Sequence, residues 1–109
     1  MDIGAVLIEL KKNALANVDA WQSEINARKQ EAIETLKAEG VYVESWFYVQ
    51  LDEKDYLIAY MRADDIAQAQ KIGKDSQFAI DQVHKAFKQN WIKVIPSKLL
   101  VDLENIKEK

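Results

Sequence analysis

The spacing of apolar residues changes along this chain between two and three-to-four, and this change restricts the fold more than any other feature. A spacing of two is typical of a half-buried strand, whereas a spacing of three or four is typical of an amphipathic helix. The pattern predicts strands over residues 3–10, 41–51, 55–62 and 93–103. It predicts helices over residues 14–39, from Asp64 or Asp65 to about Gly73, and over residues 77–91.

Residues 14–39 carry the strongest helical signal. They contain neither glycine nor proline. One face holds an apolar stripe made of Val18, Trp21, Ile25, Ala32 and Leu36. Asn13 is a residue type that caps helix N-termini, and Gly40 stands where a glycine in the left-handed region often ends a helix. We therefore expect one continuous helix between these two residues.

The elements follow one another in the order β-α-β-β-α-β, with the second helical region divided in two. This order predicts the ferredoxin-like α+β fold, in which helices cover one face of a four-stranded antiparallel sheet. The chain of 109 residues has the length of a single domain. We expect that domain to span residues 1–103, and we expect residues 104–109 to form a frayed C-terminal tail.

The two central strands predict which side chains face the helices. Their aliphatic residues are expected to share that face: Val43, Phe47, Val49, Leu57, Ala59 and Met61. A three-residue loop between the strands then pairs Trp46 with Tyr60. The same register pairs Glu44 with Arg62.

The opposite face of the predicted sheet is strongly aromatic. It carries Tyr42, Trp46, Tyr48, Tyr56, Ile58 and Tyr60, which is too much apolar area to leave in water. A second copy of the chain can cover it, so we expect a homodimer in which two sheets pack face to face as a dimeric α+β barrel. The alternative is a monomer whose aromatic residues form a shallow groove for a small ligand.

Composition excludes several classes of function. The chain has no cysteine and 1 histidine, which excludes thiolate nucleophiles and metal sites that need cysteines or two histidines of one chain. A net charge of −3 without a basic cluster argues against nucleic-acid binding. No apolar run approaches the ~20 residues of a membrane span, and the N-terminus lacks a basic signal region. We therefore expect a cytoplasmic protein that uses no cofactor or metal.

Several short runs of this sequence resemble one known family. They are residues 26–32, Thr35-Leu36, residues 39–45 and 55–58, Tyr60-Met61, Ile80-Asp81, His84 and Phe87. The family consists of small bacterial proteins of unknown function that are similar to the dimeric α+β-barrel superfamily. The resemblance covers about residues 3–92 and implies the fold and the homodimer. It implies no single activity, because that superfamily includes cofactor-free monooxygenases, isomerases, mutarotases and a haem enzyme.

His84 and Asp81 are the candidate catalytic residues. His84 has an ordinary pKa near neutrality, and Asp81 lies three residues earlier on the same predicted helix. Residues three apart share a helix face, so the carboxylate can fix the imidazole tautomer and raise its pKa. This predicts a general base oriented by a carboxylate, and the resembling family shares this Asp-x-x-His run. The alternative is a half-buried surface histidine with an ordinary helical partner.

Further candidates for ligand contact are Arg28, Glu31, Glu44, Trp46 and Tyr60. Arg28 interrupts the apolar stripe of the long helix, and its guanidinium can clamp a carboxylate or phosphate. Alternatively its charged head reaches water and pairs with Glu24 or Glu31. Glu44 lies among aromatic residues and can orient a ligand inside the barrel, or pair with Arg62. The aromatic residues, Trp46 and Tyr60 among them, either pack in the core of the dimer interface or contact a ligand.

Two functions therefore stay open from the sequence. If the protein is an enzyme, we expect cofactor-free acid–base or monooxygenase-type chemistry on a small molecule, with His84 as the base. The alternative is a non-catalytic dimer that binds a small ligand or has a structural role. The position of His84 separates them, because a catalytic base must open into a cavity.

Overall fold

The computed structural model describes residues 1–105, which form a four-stranded antiparallel sheet with helices on one face. The strands are β1 (Asp2–Leu10), β2 (Val41–Leu51), β3 (Lys54–Ala63) and β4 (Trp91–Pro96). The helices are α1 (Leu15–Ala27), α2 (Lys29–Glu39), α3 (Ile66–Asp75) and α4 (Ala79–Phe87), and a 3₁₀ turn (Lys88–Asn90) leads into β4. Within residues 1–105, no helix is long and apolar enough to cross a membrane.

The strand order of the sheet is β2-β3-β1-β4. Each helical region therefore connects two strands that are separated by a third, which confirms the predicted ferredoxin-like α+β fold. The core lies between the sheet and the helices. Ile8 and Leu57 of the sheet are fully buried there and pack with Val18 of α1 and Phe87 of α4.

The first helical region bends at Arg28, so the prediction of one continuous helix is wrong. Arg28 has φ −116° and ψ 37°, outside the helical range, and it separates α1 from α2. Its backbone N–H still bonds to the carbonyls of Glu24 and Ile25, and its carbonyl accepts from Ala32. The chain therefore changes direction without losing its backbone hydrogen bonds. The Arg28 side chain spans the bend because it binds Glu24 and Glu31.

The β2–β3 hairpin has a different register from the predicted one. Its loop is Asp52-Glu53, and both residues have positive φ, 52° and 65°. Such a two-residue loop gives a hairpin whose twist matches that of its strands. Tyr48 consequently pairs with Leu57, and Trp46 pairs with Ala59. The predicted Trp46–Tyr60 and Glu44–Arg62 pairs are wrong, because Arg62 lies opposite Val43 instead.

A β-bulge at Tyr42 also separates the observed hairpin from the predicted one. Val41 pairs with Ala63, yet Val43 pairs with Arg62, so Tyr42 is an extra residue in β2. The bulge reverses which side chains of β2 face the helices. Beyond it, Glu44, Trp46 and Tyr48 share the face of Leu57, Ala59 and Met61. Phe47 and its odd-numbered neighbours lie on the open face, contrary to the prediction.

The last strand is shorter than the predicted strand over residues 93–103. β4 ends at Pro96, which has no backbone N–H with which to extend the ladder. Ser97 donates a hydrogen bond to the carbonyl of Ala5, and Arg62 binds Asp102 at 2.8 Å and Glu104 at 2.6 Å. The predicted frayed tail thus begins with a residue held by an ion pair, and its residues 106–109 lie outside the described part of the chain.

Gly40 offers a direct test of how α2 ends. It has φ 72°, and an added Cβ would meet Asp64 Oδ2 only at an ordinary 3.5 Å, so the cost of a side chain there is conformational. We expect Gly40→Ala to lower the free energy of unfolding by about 1–2 kcal/mol. Gly40→Asn should lose less, because asparagine tolerates the left-handed region. Urea unfolding measures both, and an alanine variant as stable as wild type would contradict this account of the helix end.

Candidate functional site

A cavity of about 950 Å³ lies between the helices and the face of the sheet that they cover. Trp21 of α1 and Glu39 of α2 line it from the helical layer, together with Asp81 and His84 of α4. Glu44 and Trp46 line it from β2. The bulge at Tyr42 is what turns these two β2 side chains toward the cavity. The structure therefore places four of the candidate residues, Asp81, His84, Glu44 and Trp46, on the wall of one cavity.

The 3 tryptophans of the chain surround His84. The imidazole centroid lies 5.1 Å from the Trp46 ring and 6.0 and 6.1 Å from those of Trp21 and Trp91. Trp21 stacks on Phe87 at 4.5 Å and meets Trp46 edge to face at 5.2 Å. These aromatic contacts fix the rings of the cavity wall before any ligand arrives.

His84 is uncharged at neutral pH in this environment. Burial among the aromatic rings lowers its pKa to about 4, and the nearby Lys88 ammonium lowers it further. The expectation of a raised pKa is wrong in direction, because an aromatic enclosure disfavours the imidazolium ion. The imidazole is therefore present in the form that can accept a proton or a hydrogen bond.

Asp81 does not serve as the orienting partner of His84 in this structure. Its carboxylate accepts a hydrogen bond from the hydroxyl of Ser76, which precedes α4. Among residues 1–105, no hydrogen bond to the imidazole affects the pKa of His84. The helical spacing of three places both residues on one side of α4, as predicted, but the carboxylate turns toward the start of the helix rather than toward the imidazole.

Glu44 lies in the cavity wall and accepts a hydrogen bond from Nε1 of Trp46 at 3.0 Å. Burial raises the pKa of Glu44, the Trp46 hydrogen bond opposes that rise, and repulsion from Asp81 adds to it. The predicted structural pairing with Arg62 is replaced by this indole contact, because the two side chains lie on opposite faces of the sheet. Glu44 is a partly buried carboxyl group whose ionised form has one specific hydrogen-bond donor.

Glu39 is a site residue that the sequence analysis missed. Its carboxyl group lies against Gly73 of α3, where an added Cβ would come within 2.9 Å of Oε2. Burial raises the pKa of Glu39 to about 7, and repulsion from Asp81 and Glu44 contributes to the rise. One signal was present, since Glu39 ends α2, where the helix dipole disfavours a negative charge.

Two indole N–H groups have no hydrogen-bond partner among residues 1–105. They are Nε1 of Trp21 and Nε1 of Trp91, and both are buried. A buried donor without a partner is costly. Neither nitrogen is accessible to solvent, so these unpaired groups belong to the packing of the aromatic wall and not to its ligand-facing surface.

Arg28, Glu31 and Tyr60 are not brought to the cavity. The Arg28 guanidinium bonds through Nε and Nη2 to Glu31 and through Nη1 to Glu24, at 2.8–2.9 Å, so its planar fork is occupied on the helix surface. Tyr60 lies on the open face of the sheet, where its hydroxyl accepts from Arg62. Within the described residues, no group of three or more potential ligands is arranged to hold a metal ion.

The fold, with its cavity between the helices and the sheet, is that of a ferredoxin-like α+β protein. The family model of unknown function DUF6176 matches residues 1–108, and the chain belongs to that family. No curated protein matches the chain. A crystal structure of L-rhamnose mutarotase from Formosa agariphila has a similar fold, with a TM-score of 0.63 and 18% sequence identity, covering 95% of this chain and 100% of that one.

Because His84 is uncharged in the folded chain, the stability of the protein should depend on pH. Its pKa is about 4 in the folded chain against the ordinary 6.5. The folded state thus loses stability as pH falls from about 6.5 to 4, because the unfolded state takes up the proton first. The loss attributable to His84 is about 3 kcal/mol at full effect.

Urea unfolding at pH 7 and pH 4.5 checks this loss, with His84→Asn as the matched variant that cannot titrate. We expect the acid-induced loss to be smaller in the variant than in wild type. Because the chain has 1 histidine, the imidazole NMR signals also report its pKa directly. A midpoint at or above 6.5 would contradict the buried, uncharged imidazole.

Proposed function

We propose that the cavity binds a small, uncharged, hydroxylated molecule and that its side chains move protons on that molecule without a cofactor. One observation carries the proposal. An uncharged imidazole and a partly buried carboxyl group, His84 and Glu44, line one half-open cavity whose wall includes the Trp21 and Trp46 rings. Groups able to exchange protons near neutral pH, held in an apolar cavity, are typical of acid–base active sites.

The cavity walls indicate the chemical class of the ligand. The rings of Trp21 and Trp46 suit the apolar face of a small ring compound, and the carboxyl groups of the cavity suit hydroxyl groups. Asp81, Glu39 and Glu44 repel one another, so an anionic ligand would add to this repulsion. An uncharged polyhydroxy compound such as a free sugar fits best.

The reaction that these groups suit is the opening and closing of a cyclic hemiacetal. A base removes the proton of the anomeric hydroxyl, the carbonyl forms as the ring C–O bond breaks, and the ring oxygen gains a proton. His84 and Glu44 are the bases we propose, since one is uncharged and the other accepts an indole N–H as a carboxylate. Asp81 acts on Glu44 through its charge. The named activity of the similar mutarotase structure makes this the reaction to test first, although that likeness by itself concerns the fold.

Exchange between the anomers of a free sugar tests the proposal. NMR exchange spectroscopy with L-rhamnose and a panel of other neutral aldoses should show faster α–β exchange in the presence of the protein. Glu44→Gln and His84→Asn should each slow this exchange by about 100-fold, a typical size for loss of one acid–base group. Arg28→Lys is the matched control, because Arg28 lies outside the cavity, and it should retain the wild-type rate.

The other functions give different results in the same samples. Quenching of tryptophan fluorescence by a sugar without accelerated exchange would favour a non-catalytic binding protein. Neither quenching nor exchange with any aldose would exclude the proposed reaction. Oxygen consumption in the presence of an aromatic substrate would favour the monooxygenase-type alternative.

We also propose that the chain forms a homodimer through the open face of the sheet. Phe47 and Leu51 of β2 are 56% and 55% exposed on or beside that face. Phe47 pairs with Ile58 of β3, which in turn pairs with Leu7 of β1, so these three side chains form an apolar row across the sheet. The C-terminal segment adds exposed apolar side chains, with Leu100 at 83% and Leu103 at 87%. A second copy that covers both would bury apolar surface on the scale of a stable interface, above ~1,200 Å². Trp46 was predicted for this interface, but it faces the helices, and we propose that its neighbour Phe47 occupies the interface instead.

Substitution on the open face tests the dimer. Light scattering at micromolar concentration should give twice the chain mass of 12.5 kDa. Phe47→Glu should shift the mass to that of one chain, because a charge would enter a desolvated contact. Leu15→Glu on α1, 42% exposed in the helical layer, is the matched control and should stay dimeric. A wild-type mass of 12.5 kDa would refute the dimer.

A further inference from the structure

The proposed reaction requires a proton donor as well as a base. His84 is uncharged at neutral pH, and Glu44 already accepts the Trp46 indole N–H. A neutral imidazole is a very weak acid, and the Trp46 hydrogen bond favours the ionised form of Glu44. Asp81 accepts a hydrogen bond from Ser76. Glu39 is the carboxyl group of the cavity that remains.

We propose that Glu39 is the general acid of this site, which protonates the ring oxygen while Glu44 or His84 accepts the proton of the anomeric hydroxyl. This inference rests on the proposed function and adds a catalytic residue to it. Glu39 lines the main cavity and also an adjoining one of about 410 Å³, and it lies with Asp81 where the two meet.

Gly73 makes room for the Glu39 carboxyl group. Any larger residue at position 73 of α3 would place a Cβ 2.9 Å from Oε2 and 3.5 Å from Cδ. Gly73 lies inside a helix, where alanine is favoured over glycine. The absence of a side chain at this position therefore leaves space for the carboxyl group of another helix.

The charges around Glu39 favour its protonated form. Asp81 of α4 and Glu44 of β2 face it with negative charge, and Lys88 of the 3₁₀ turn opposes them. Other charged groups lining the two cavities are Lys29 of α2, Lys71, Lys74 and Asp75 of α3, and Lys85 of α4. With a pKa of about 7, Glu39 carries a proton in a large fraction of molecules at neutral pH. Two carboxyl groups whose surroundings differ in this way are typical of an acid–base pair.

The proposed step balances in protons and electrons. The O–H electron pair of the anomeric hydroxyl forms the carbonyl, the ring C–O bond breaks, and its electron pair takes the proton of Glu39. Glu39 ends as a carboxylate, and Glu44 or His84 ends protonated. Ring closure on the other face of the carbonyl reverses both transfers and restores the starting protonation states, so no further reactant is consumed.

The test compares wild type with Glu39→Gln and Gly73→Ala. Wild-type anomer exchange should fall as pH rises through about 7, because Glu39 loses its proton. Glu39→Gln should be about 100-fold slower at pH 6 and should lack that alkaline decline. Gly73→Ala should stay folded, since alanine suits a helix, but it displaces the carboxyl group and should lower kcat more than it raises KM.

A second readout needs no substrate. In protein labelled with ¹³C at glutamate carboxyl groups, one signal should titrate near pH 7, and it should disappear in Glu39→Gln. It should remain in Glu34→Gln, a matched control on the exposed side of α2, where Glu34 binds Lys37 at 3.2 Å. Glu44→Gln should lower the midpoint of that signal, because it removes a repelling charge.

The outcomes separate the two proposals. Wild-type protein that accelerates no sugar exchange overturns the proposed function and this inference with it. Active wild type whose Glu39→Gln variant keeps both its rate and its alkaline decline overturns the inference alone. Absence of a glutamate signal titrating near pH 7 also overturns it, because the proton donor would then be ionised at neutral pH.

Discussion

The extra residue in β2 is the constraint on which the cavity depends. Tyr42 has no partner in β3, and the residues after it therefore have the opposite side-chain alternation from the one that Val41 begins. Trp46 and Glu44 face the helices for this reason, while Phe47 faces outward. Without the bulge, Phe47 and Val49 would fill the space under the helices, and the cavity would lack the Trp46 indole and the Glu44 carboxyl group.

The cavity places groups together at a cost to stability. Three carboxyl groups, Glu39, Glu44 and Asp81, repel one another, and burial alone disfavours the ionised forms of the first two. Burial likewise keeps His84 uncharged. A protein selected only for stability would replace such groups with apolar residues. Retaining them within a ring of tryptophans is the pattern expected of a site that uses their protons.

One strand serves two surfaces because its side chains alternate. Trp46 contributes to the cavity, and its neighbour Phe47 contributes to the open face proposed for the dimer. The cavity is lined by residues of one chain, so the acid–base chemistry proposed here does not require residues from a second copy. Covering the open face would still hold β2 in place, and with it the two β2 residues of the site.

The sequence by itself determined the element order, the split of the second helical region, the glycine that ends α2 and the gathering of Asp81 and His84 on one helix, because these depend on local spacing and backbone preference. It also named Glu44 and Trp46 as candidates for ligand contact. Only the tertiary structure decided the face on which they lie, since one bulge and a two-residue turn reverse a strand's alternation without changing its composition. Burial and the Lys88 charge likewise made His84 uncharged. The packing of α2 against α3 brought Glu39 beside Gly73, and residues so far apart in the chain meet only in the folded protein.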